Sequence, residues 1–338
     1  MHVTLKTIAE EAGVSITTVS RALAGYGDVN EQTRRRIIEI AERLGYQPNL
    51  AARHLRSKRT YTIGMVIPRT AHYSDPFFME LVAGVGKQAS EHGYDLLLSA
   101  QMQGEEELSA YRRMVAGGRV DGMIVARVLW QDPRIAYLRQ VYHPFVAFGR
   151  TEDPAHPYID VDGAEGMYQL VAHLVEYGHK RIALIQSPRE LAFTADRCGG
   201  YRRGLEAFDL PYREEYVIQG NLTRHSGRLA AEKLLALPTP PSAIIACNDL
   251  MALGASEAVH ARGLRVGRDV AIAGFDDIPE ATTATPPLTT VRQPIYGIGH
   301  RLVDMLVRLM QHEEVDNTQV LLQPELVIRA SSGTPPTR

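Results

Sequence analysis

Two short helices and the turn that joins them are encoded by residues 5–24, which read LKTIAEEAGVSITTVSRALA. Leu5 to Ala12 are mostly helix formers with an apolar stripe, Gly13 interrupts the pattern, and Ser15 can cap a second helix that runs roughly to Ala24. A short turn between two such helices is the geometry that lets the second helix enter the major groove of DNA. The stretch therefore predicts a helix-turn-helix unit.

A third helix is predicted directly after this pair. Asn30 can cap its beginning and Gly45 can end it. Its expected buried stripe consists of Ile37, Ile38, Ala41 and Leu44. We therefore expect an all-α helix-turn-helix headpiece over residues 1–46, in which the third helix braces the other two.

The outward face of the second helix carries the candidate base readers. Arg21 can donate to both O6 and N7 of guanine, Thr17 can meet a thymine methyl group or a base edge, and Ile16 can make only apolar contacts. Ordinary solvated side chains on a small helical bundle are the alternative, and the arginine run at residues 34–36 is assigned at most to phosphate contact. The headpiece residues predicted to contact DNA are Leu5, Ser15, Ile16, Thr17, Ser20, Arg21, Asn30 and Thr33.

Residues 47–59 are predicted to form a hinge. Pro48 can begin a helix here, but so short a helix falls below the ~12 to 15 residues needed for marginal stability alone. Paired with a second copy on DNA, the segment would present Leu55 as an apolar wedge for a minor-groove step. The predicted DNA contacts of this segment are Asn49, Ala52 and Leu55, and a plain interdomain linker is the alternative.

Charge is distributed unevenly along the 338-residue chain, whose formal net charge is -2. Residues 1–59 hold ten Lys and Arg against six Asp and Glu, so a basic head precedes an acidic body. Because phosphate neutralisation drives nucleic-acid affinity, such a head is typical of a polyanion-binding module. Cys198 and Cys247 lack metal-ligand spacing, no apolar run reaches the ~20 residues of a membrane span, and no secretory signal is evident. We expect a cytoplasmic protein with no metal, no cofactor and no membrane contact.

From residue 60 to residue 330, β-rich runs alternate with amphipathic helical stretches, which is typical of parallel sheets covered on both faces. The predicted strands are Thr62–Ile67, Asp95–Leu98, Gly122–Val125, Phe145–Phe148, Arg181–Gln186, Ala243–Ala246 and Val270–Ala273. The order of elements occurs twice, which predicts an α/β core of two doubly wound parallel-sheet lobes. Lobe 1 is expected at about 61–160 plus 293–322, lobe 2 at about 161–290 plus 323–330, and a disordered tail at 331–338.

Doubly wound sheets bind ligands beyond the carboxyl ends of their strands, so the residues that follow the strands are candidate ligand contacts. Phe77 could pack against the apolar face of a pyranose, although one of the two adjacent phenylalanines is expected in the core. Arg197, at a helix entry, could donate to hydroxyls or could pair with Asp196 or another acid. Asn248 follows one strand, where it could equally be a helix cap, and Asp276 follows another.

Short motifs stand at defined places in both parts of the chain. The headpiece contains TLKTIA (4–9), AGVS (12–15), TVSRAL (18–23), LGYQPN (44–49) and AARHL (51–55). The core contains GHKRI (178–182), DRCGGY (196–201), NDLMALG (248–254), GFDD (274–277) and LTTVRQP (288–294). With these motifs the chain resembles the lac/gal repressor family of transcription regulators from about Thr4 to Ile328.

The resemblance implies a helix-turn-helix reader, a hinge helix with its leucine in the minor groove, and a homodimer on a near-palindromic, double-stranded operator. It also implies a periplasmic-binding-protein-like core in which Arg197, Asn248 and Asp276 hold ligand hydroxyls and Phe77 forms a wall. Leu222 departs from the pattern, because many sugar-sensing members have an aromatic residue at that point. The predicted ligand contacts are Asp75, Phe77, Phe148, Arg197, Leu222, Asn248 and Asp276.

We therefore expect a sequence-specific repressor that is relieved by a small effector, a mono- or oligosaccharide. A corepressor-dependent regulator, with a nucleobase or a phosphoprotein as effector, is the closer alternative, and a solute-binding receptor without DNA function is another. The sequence contains no Gly-x-Ser-x-Gly, His-Glu-x-x-His or phosphate-cradling Gly-rich motif, so we assign no catalytic residue and do not expect an enzyme. No leucine heptad follows the core, which favours a dimer over a tethered tetramer.

Overall fold

The computed structural model describes residues 3–23, 25–46, 59–68 and 75–333. The chain divides into two compact units, Met1–Thr60 and Tyr61–Arg338, which we call the headpiece unit and the core. The predicted hinge contacts Asn49, Ala52 and Leu55 lie outside the described residues. Among the residues that the structure describes, no helix is long and apolar enough to cross a membrane.

The headpiece contains three helices, α1 (Leu5–Ala12), α2 (Ile16–Leu23) and α3 (Glu31–Arg43). The side chains of Ser15 and Asn30 each accept a hydrogen bond from a backbone N–H of the helix that follows, at 3.1 and 2.9 Å. Gly13 ends α1 with a φ of 68°, a left-handed conformation that costs glycine little. The predicted helix order and both predicted caps are confirmed.

The three helices pack around one small core. Its buried members are Ile8, Ala9, Ala12, Val19, Ala22, Val29, Ile37, Ile40 and Ala41. The expectation that Ile38 belongs to this core is wrong, because Ile38 is exposed and Ile40 is buried in its place. Positions 37, 40 and 41 have the i, i+3, i+4 spacing of one helix face, whereas Ile38 lies about 100° around the axis from Ile37.

Lobe 1 of the core is built on a six-stranded sheet in the order β11-β5-β4-β3-β1-β2, and each neighbouring pair is parallel. Its strands are β1 (Thr62–Pro68), β2 (Asp95–Gln101), β3 (Gly122–Val125), β4 (Phe145–Phe148), β5 (Tyr158–Val161) and β11 (Gln319–Leu322). Its helices are α4 (Pro76–Glu91), α5 (Glu105–Ala116), α6 (Pro133–Gln140) and α12 (Ile295–Met310). Gly84 of α4 lies against the backbone of Tyr296 in α12, where an added Cβ would overlap the Tyr296 carbonyl oxygen.

Lobe 2 is built on a four-stranded parallel sheet in the order β7-β6-β8-β9. Its strands are β6 (Ile182–Gln186), β7 (Val217–Gln219), β8 (Ala243–Ala246) and β9 (Ala271–Ala273). Its helices are α7 (Gly163–Glu176), α8 (Ala192–Ala207), α9 (Arg224–Leu235), α10 (Asp249–Ala261) and α11 (Pro279–Thr283). Strands β10 (Thr290–Arg292) and β12 (Glu325–Val327) form a separate antiparallel pair. The predicted α/β class with two doubly wound lobes is confirmed.

The loop after β3 joins the two lobes through its backbone. The Val128 carbonyl accepts a hydrogen bond from the N–H of Ala192 in lobe 2, at 2.9 Å. Two residues further on, the N–H of Trp130 donates to the carbonyl of Glu190, also at 2.9 Å. This loop is therefore tied to lobe 2 at the point where α8 begins.

The end of the core is held by polar contacts. Ala330–Ser332 forms a short 3-10 helix in which Ser331 and Ser332 are buried. The Ser331 hydroxyl donates to the Ile272 carbonyl at 2.7 Å, and the Ser332 hydroxyl lies 2.7 Å from Nε2 of His173. The expectation of disorder from residue 331 is therefore wrong for 331–333, and residues 334–338 lie outside the part of the chain that is described.

Candidate ligand cleft and headpiece surface

A cleft with about 700 Å³ of open space lies between the two lobes, beyond the carboxyl ends of their strands. Its lining includes all seven residues that the sequence predicted as ligand contacts, namely Asp75, Phe77, Phe148, Arg197, Leu222, Asn248 and Asp276. The structure thus brings them together, and their contact with a ligand stays a prediction.

One wall of the cleft is aromatic. The rings of Phe77 and Phe148 are stacked, with centroids 5.7 Å apart and planes 13° from parallel. Phe78 is buried in the lobe 1 core, so the expectation that one of the two adjacent phenylalanines packs inward is confirmed. Asp75 caps α4 by accepting a hydrogen bond from the N–H of Phe77 at 3.2 Å, which fixes the backbone position from which the Phe77 side chain extends.

Arg197 lies against two aromatic rings of lobe 2. Its guanidinium lies 3.8 Å from the centroid of Phe275 and 4.4 Å from that of Phe193, and it donates to the Cys247 carbonyl. Its Nε is buried and has no hydrogen-bond partner among the described residues. The acid that pairs with it is Asp276, at 3.8 Å from its terminal nitrogen, so the alternative of a pair with an acid other than Asp196 is confirmed. This guanidinium is held in place with a donor unused.

Asp276 is held in an unusual backbone conformation. Its φ is 125°, a region that side-chain-bearing residues rarely adopt, and its N–H donates to the Val291 carbonyl at 2.8 Å. Its carboxylate accepts a hydrogen bond from the Gln293 side chain at 2.7 Å. Burial raises the pKa of Asp276 well above its usual range. A carboxyl group with spare lone pairs is thereby aimed at the cleft.

Asn248 acts as a helix cap, which was one of its two expected roles. Its side-chain oxygen accepts a hydrogen bond from the N–H of Met251 in α10, at 3.1 Å. Its amide nitrogen donates to the carbonyl of Leu222 at 3.1 Å and so holds a turn in which Leu222 has a φ of 67°. One N–H of the Asn248 amide remains for a ligand.

Two arginines of lobe 1 that the sequence analysis did not single out also line the cleft. Arg127 stands two residues after β3 and Arg150 two residues after β4, the same relation that Asn248 has to β8. The position just beyond a strand end was therefore a usable signal for both. The other lining residues outside the predicted set are Phe78, Val128, Gly149, Asp160, Ala192, Phe193, Asp196 and Gln293.

Arg127 is oriented by the residues around it. Its φ is 50°, and its carbonyl accepts a hydrogen bond from the guanidinium of Arg134 at 2.9 Å. Its own guanidinium lies 5.0 Å from the ring centroid of Phe78 and donates to Asp75 at 3.3 Å. Burial lowers the pKa of Arg127 and raises that of Asp75.

Arg134 belongs to a buried ionic network beneath this loop. Only 3% of its side chain is exposed, and it pairs with Asp132 at 2.5 Å and also with Glu107. It donates as well to the carbonyl of Ala126, at 3.3 Å. Burial alone would raise the pKa of Asp132, but the hydrogen bonds and charge of Arg134 bring it below its usual value. The network fixes the backbone turn that presents Arg127.

Arg150 bridges the lobes. Its Nε donates to Asp160 of lobe 1 at 2.8 Å, and a terminal nitrogen donates to Asp196 of α8 in lobe 2 at 2.6 Å. Burial raises the pKa of both carboxyl groups, and the Arg150 charge opposes that effect. The guanidinium therefore joins one acid from each side of the cleft.

The headpiece presents part of the predicted DNA-contact set on one face. Ile16, Thr17 and Arg21 are exposed on α2, and Ser20 is half-buried beside them. Arg21 pairs with Asp28 and lies 5.4 Å from the ring centroid of Tyr26. The other members stand elsewhere, at helix beginnings: half-buried Leu5 and Thr33, exposed Ser15, and exposed Asn30. That these residues contact DNA stays a prediction.

Comparison with known proteins identifies the family. Residues 4–49 match the family model described as bacterial regulatory proteins, lacI family, and residues 171–332 match a periplasmic binding protein-like domain. The HTH-type transcriptional regulator AglR of Rhizobium meliloti (strain 1021) is 36% identical over 346 residues, with 100% of this chain and 96% of AglR covered. The chain belongs to the LacI family of bacterial transcription regulators. The predicted resemblance to the lac/gal repressors is confirmed.

Other members of the LacI family are similar along nearly the whole chain. Catabolite control protein A of Priestia megaterium is 35% identical, with 98% of this chain and all of that protein covered. A structure of the Lac repressor dimer bound to operator and the anti-inducer ONPF has a TM-score of 0.88 and 29% identity, covering 98% of this chain and 100% of that one. A CelR–cellobiose complex has a TM-score of 0.76 and 33% identity, covering 97% and 99%. The protein is thus a transcription regulator with a DNA-binding headpiece, and the family does not consist of enzymes.

Proposed function

We propose that this LacI-family protein is a repressor that binds operator DNA as a homodimer and releases it when a mono- or oligosaccharide occupies the cleft. The observation that carries the proposal is the composition of the cleft, where the Phe77–Phe148 stack faces hydrogen-bonding side chains from both lobes. A pyranose has apolar C–H faces and a rim of hydroxyl groups, so an aromatic wall opposite polar side chains matches its two surfaces.

Two relatives support the proposal by what they bind. CelR, which shares the fold over nearly its full length, is described as a complex with cellobiose. The Lac repressor is described as a dimer bound to operator. We extend both statements to this chain as a proposal, because the headpiece and core match those proteins together rather than one part alone.

The proposed control is a shift of population between two lobe arrangements. The cleft takes its lining from both lobes, so a ligand that fills it favours the arrangement in which both sets of side chains reach it. Operator DNA favours the arrangement in which the two hinges of a dimer meet. A coupling of about 1 to 3 kcal/mol per site is typical of such linked binding, and two sites act on one dimer.

The proposed operator contacts are the exposed side chains of α2. Arg21 leaves Asp28 and donates to a guanine in the major groove, and Thr17 meets a neighbouring base edge. The ion pair that Arg21 gives up is about half exposed, so breaking it costs little. Ile16, 48% exposed, supplies an apolar contact that a solvated helix face would not need.

A gel-shift titration tests the proposal. It uses operator DNA from the region upstream of a regulated gene and is repeated across a panel of mono- and disaccharides. We expect at least one saccharide to release the wild-type complex, and the variant Arg197→Ala to bind operator normally but to lose that response. Arg202→Ala is the matched control, because Arg202 lies on the same helix α8 with its guanidinium over the exposed ring of Tyr212, outside the cleft lining. It should respond like the wild type.

Two results would contradict the proposal. A saccharide response that survives in Arg197→Ala at wild-type ligand concentrations would show that the cleft assignment is wrong. A ligand that strengthens operator binding would replace induction by corepression. Thermal unfolding of both variants checks that the buried substitution has not unfolded the core.

A further inference from the structure

The charged side chains of the cleft are balanced against one another. Among the described residues, the lining contains three guanidiniums and four carboxyl groups: Arg127, Arg150, Arg197, Asp75, Asp160, Asp196 and Asp276. Each guanidinium has a carboxylate oxygen close by, at distances from 2.6 Å for Arg150 to 3.8 Å for Arg197. The part of the cleft that is described therefore carries no surplus of positive charge.

We propose that the cleft selects an uncharged saccharide and discriminates against the phosphorylated and carboxylate-bearing forms of the same sugar. This inference rests on the proposed function, since it assumes that a saccharide fills the cleft. It adds the chemical class of the effector, which the resemblance to sugar-sensing regulators leaves open.

An anionic ligand would place a further negative charge beside carboxyl groups that already lie next to the guanidiniums. At Arg150 it would lie close to both Asp160 and Asp196, which are partly buried and each accept one hydrogen bond from that side chain. Arg197 lies against the rings of Phe193 and Phe275 and beside Asp276. Like charges brought together at partly buried side chains repel more strongly than in bulk water.

The beginnings of α4 and α10 at the cleft offer no better site for an anion. The N-terminus of a helix attracts negative charge through its free N–H groups. At α4 that place is taken by the carboxylate of Asp75, which accepts the N–H of Phe77, and at α10 by the side chain of Asn248. Both caps lie in the cleft lining, so a phosphate would compete with the protein's own side chains.

Neutral hydroxyl groups fit the same surface without displacing any pair. A hydroxyl accepts from a guanidinium and donates to a carboxylate at once, so it can insert beside an existing pair. Arg127 contacts Asp75 at one point, 3.3 Å away, and keeps N–H groups to donate. The buried Nε of Arg197 has no partner among the described residues. The Phe77–Phe148 stack accepts the C–H face of the same ring.

Isothermal titration calorimetry on the full-length protein, with ligands in matched sets, tests the selectivity. Each set holds a neutral sugar, its 6-phosphate and its uronate, beginning with glucose, glucose 6-phosphate and glucuronate and continuing through galactose and the disaccharides cellobiose and maltose. In the set whose neutral member binds, we expect the charged members to bind at least ~10-fold more weakly.

Two matched variants locate the discrimination. Asp75→Asn keeps an equally good helix cap and frees Arg127 from its carboxylate, so we expect the affinity ratio to move towards the uronate by roughly 10-fold. Asp153→Asn is the control, because it removes one carboxylate that is paired with Arg139 on the surface, outside the cleft lining. Its ratio should equal that of the wild type. If Asp75→Asn does not fold, Asp196→Asn removes one of the two carboxylates paired with Arg150 and tests the same point.

Three outcomes would overturn the inference. A charged member that binds as tightly as its neutral counterpart overturns the selectivity and leaves the saccharide function standing. Equal shifts of the ratio in Asp75→Asn and Asp153→Asn also overturn it, because overall charge rather than local pairing would then set the preference. If no member of any set binds, the saccharide function fails and the inference fails with it.

Discussion

Removing Arg134 should destabilise the core severely. The change Arg134→Met keeps the length of the side chain but leaves Asp132 and Glu107 without a counter-charge, and all three side chains are at most 6% exposed. Breaking a buried pair by deleting one partner costs about 3 to 5 kcal/mol. In a domain of this size each kcal/mol lowers Tm by about 2 to 4 °C, so we expect a loss of roughly 6 to 20 °C.

Arg139→Met is the matched control for this experiment. Arg139 lies on the same short helix α6 and also pairs with an aspartate, Asp153, but both side chains are largely exposed. Exposed ion pairs contribute little to stability, so its melting temperature should stay near that of the wild type. Thermal unfolding followed by circular dichroism, with urea unfolding as a second measurement, gives both values.

A second substitution separates loss of charge balance from loss of packing. In Arg134→Met/Glu107→Gln one of the two carboxylates left without a counter-charge is neutralised, so part of the lost stability should return. The reasoning is refuted if Arg134→Met costs no more than Arg139→Met, or if the double variant is less stable than the single one. Loss of effector release in Arg134→Met, with operator binding intact, would further support its part in presenting Arg127.

Three further predictions concern packing, pH and DNA. Gly84→Ala should destabilise the core by more than about 1 kcal/mol, because the added Cβ would overlap a carbonyl of α12. In Gly86→Ala the Cβ meets only a side-chain carbon at 4.0 Å, so this variant should gain up to ~1 kcal/mol of stability from helix propensity. Urea unfolding midpoints measure both effects. Burial lowers the pKa of His173, so the stability that its neutral ring contributes is present above pH ~6.5 and is lost as pH falls below that value. The difference between the unfolding free energies at pH 7.5 and pH 5.5 should therefore be smaller in His173→Gln than in the wild type. Arg21→Ala should weaken specific operator binding by about 1 to 3 kcal/mol, whereas Asp28→Asn, which frees Arg21, should not weaken it; fluorescence anisotropy with labelled operator compares them.

Each of these three predictions has a result that would contradict it. Similar losses in the two glycine variants would mean that the close contact of Gly84 with α12 is not what sets the cost. An unchanged pH dependence in His173→Gln would place the titrating group elsewhere. Equal losses on specific and random DNA for Arg21→Ala would reduce its role to phosphate contact.

The sequence was sufficient to predict a structural feature where the residues that cause it lie close together in the chain. The caps at Ser15 and Asn30 and the stop at Gly13 determine the helix ends of the headpiece, and each can be read from a single side chain. The strands Gly122–Val125 and Ala243–Ala246 have the bounds that the sequence predicted, because both are apolar and buried along their whole length and each follows a polar residue. Ile38 was misplaced because an error of one residue moves a side chain to another helix face.

Polar networks formed between distant segments could not be predicted in this way. Glu107 and Arg134 lie 27 positions apart on two helices and look like solvated surface charges until tertiary packing buries them together. Ser331 and Ser332 contain no apolar surface that would predict burial, and only hydrogen bonds to remote backbone and side chains hold them. The cleft residues beyond strand ends were predictable in kind, since Arg127 and Arg150 obey the same rule as Asn248.

The chain has a single tryptophan, and it stands where the two lobes are joined. The indole of Trp130 is 41% exposed, while its backbone N–H is bonded to Glu190 of the other lobe. A change in lobe arrangement that strains or breaks this bond will alter the polarity around the ring and hence its emission. Intrinsic fluorescence, excited selectively over tyrosine, therefore provides a label-free signal for screening unknown compounds against the native protein before any operator sequence has been determined.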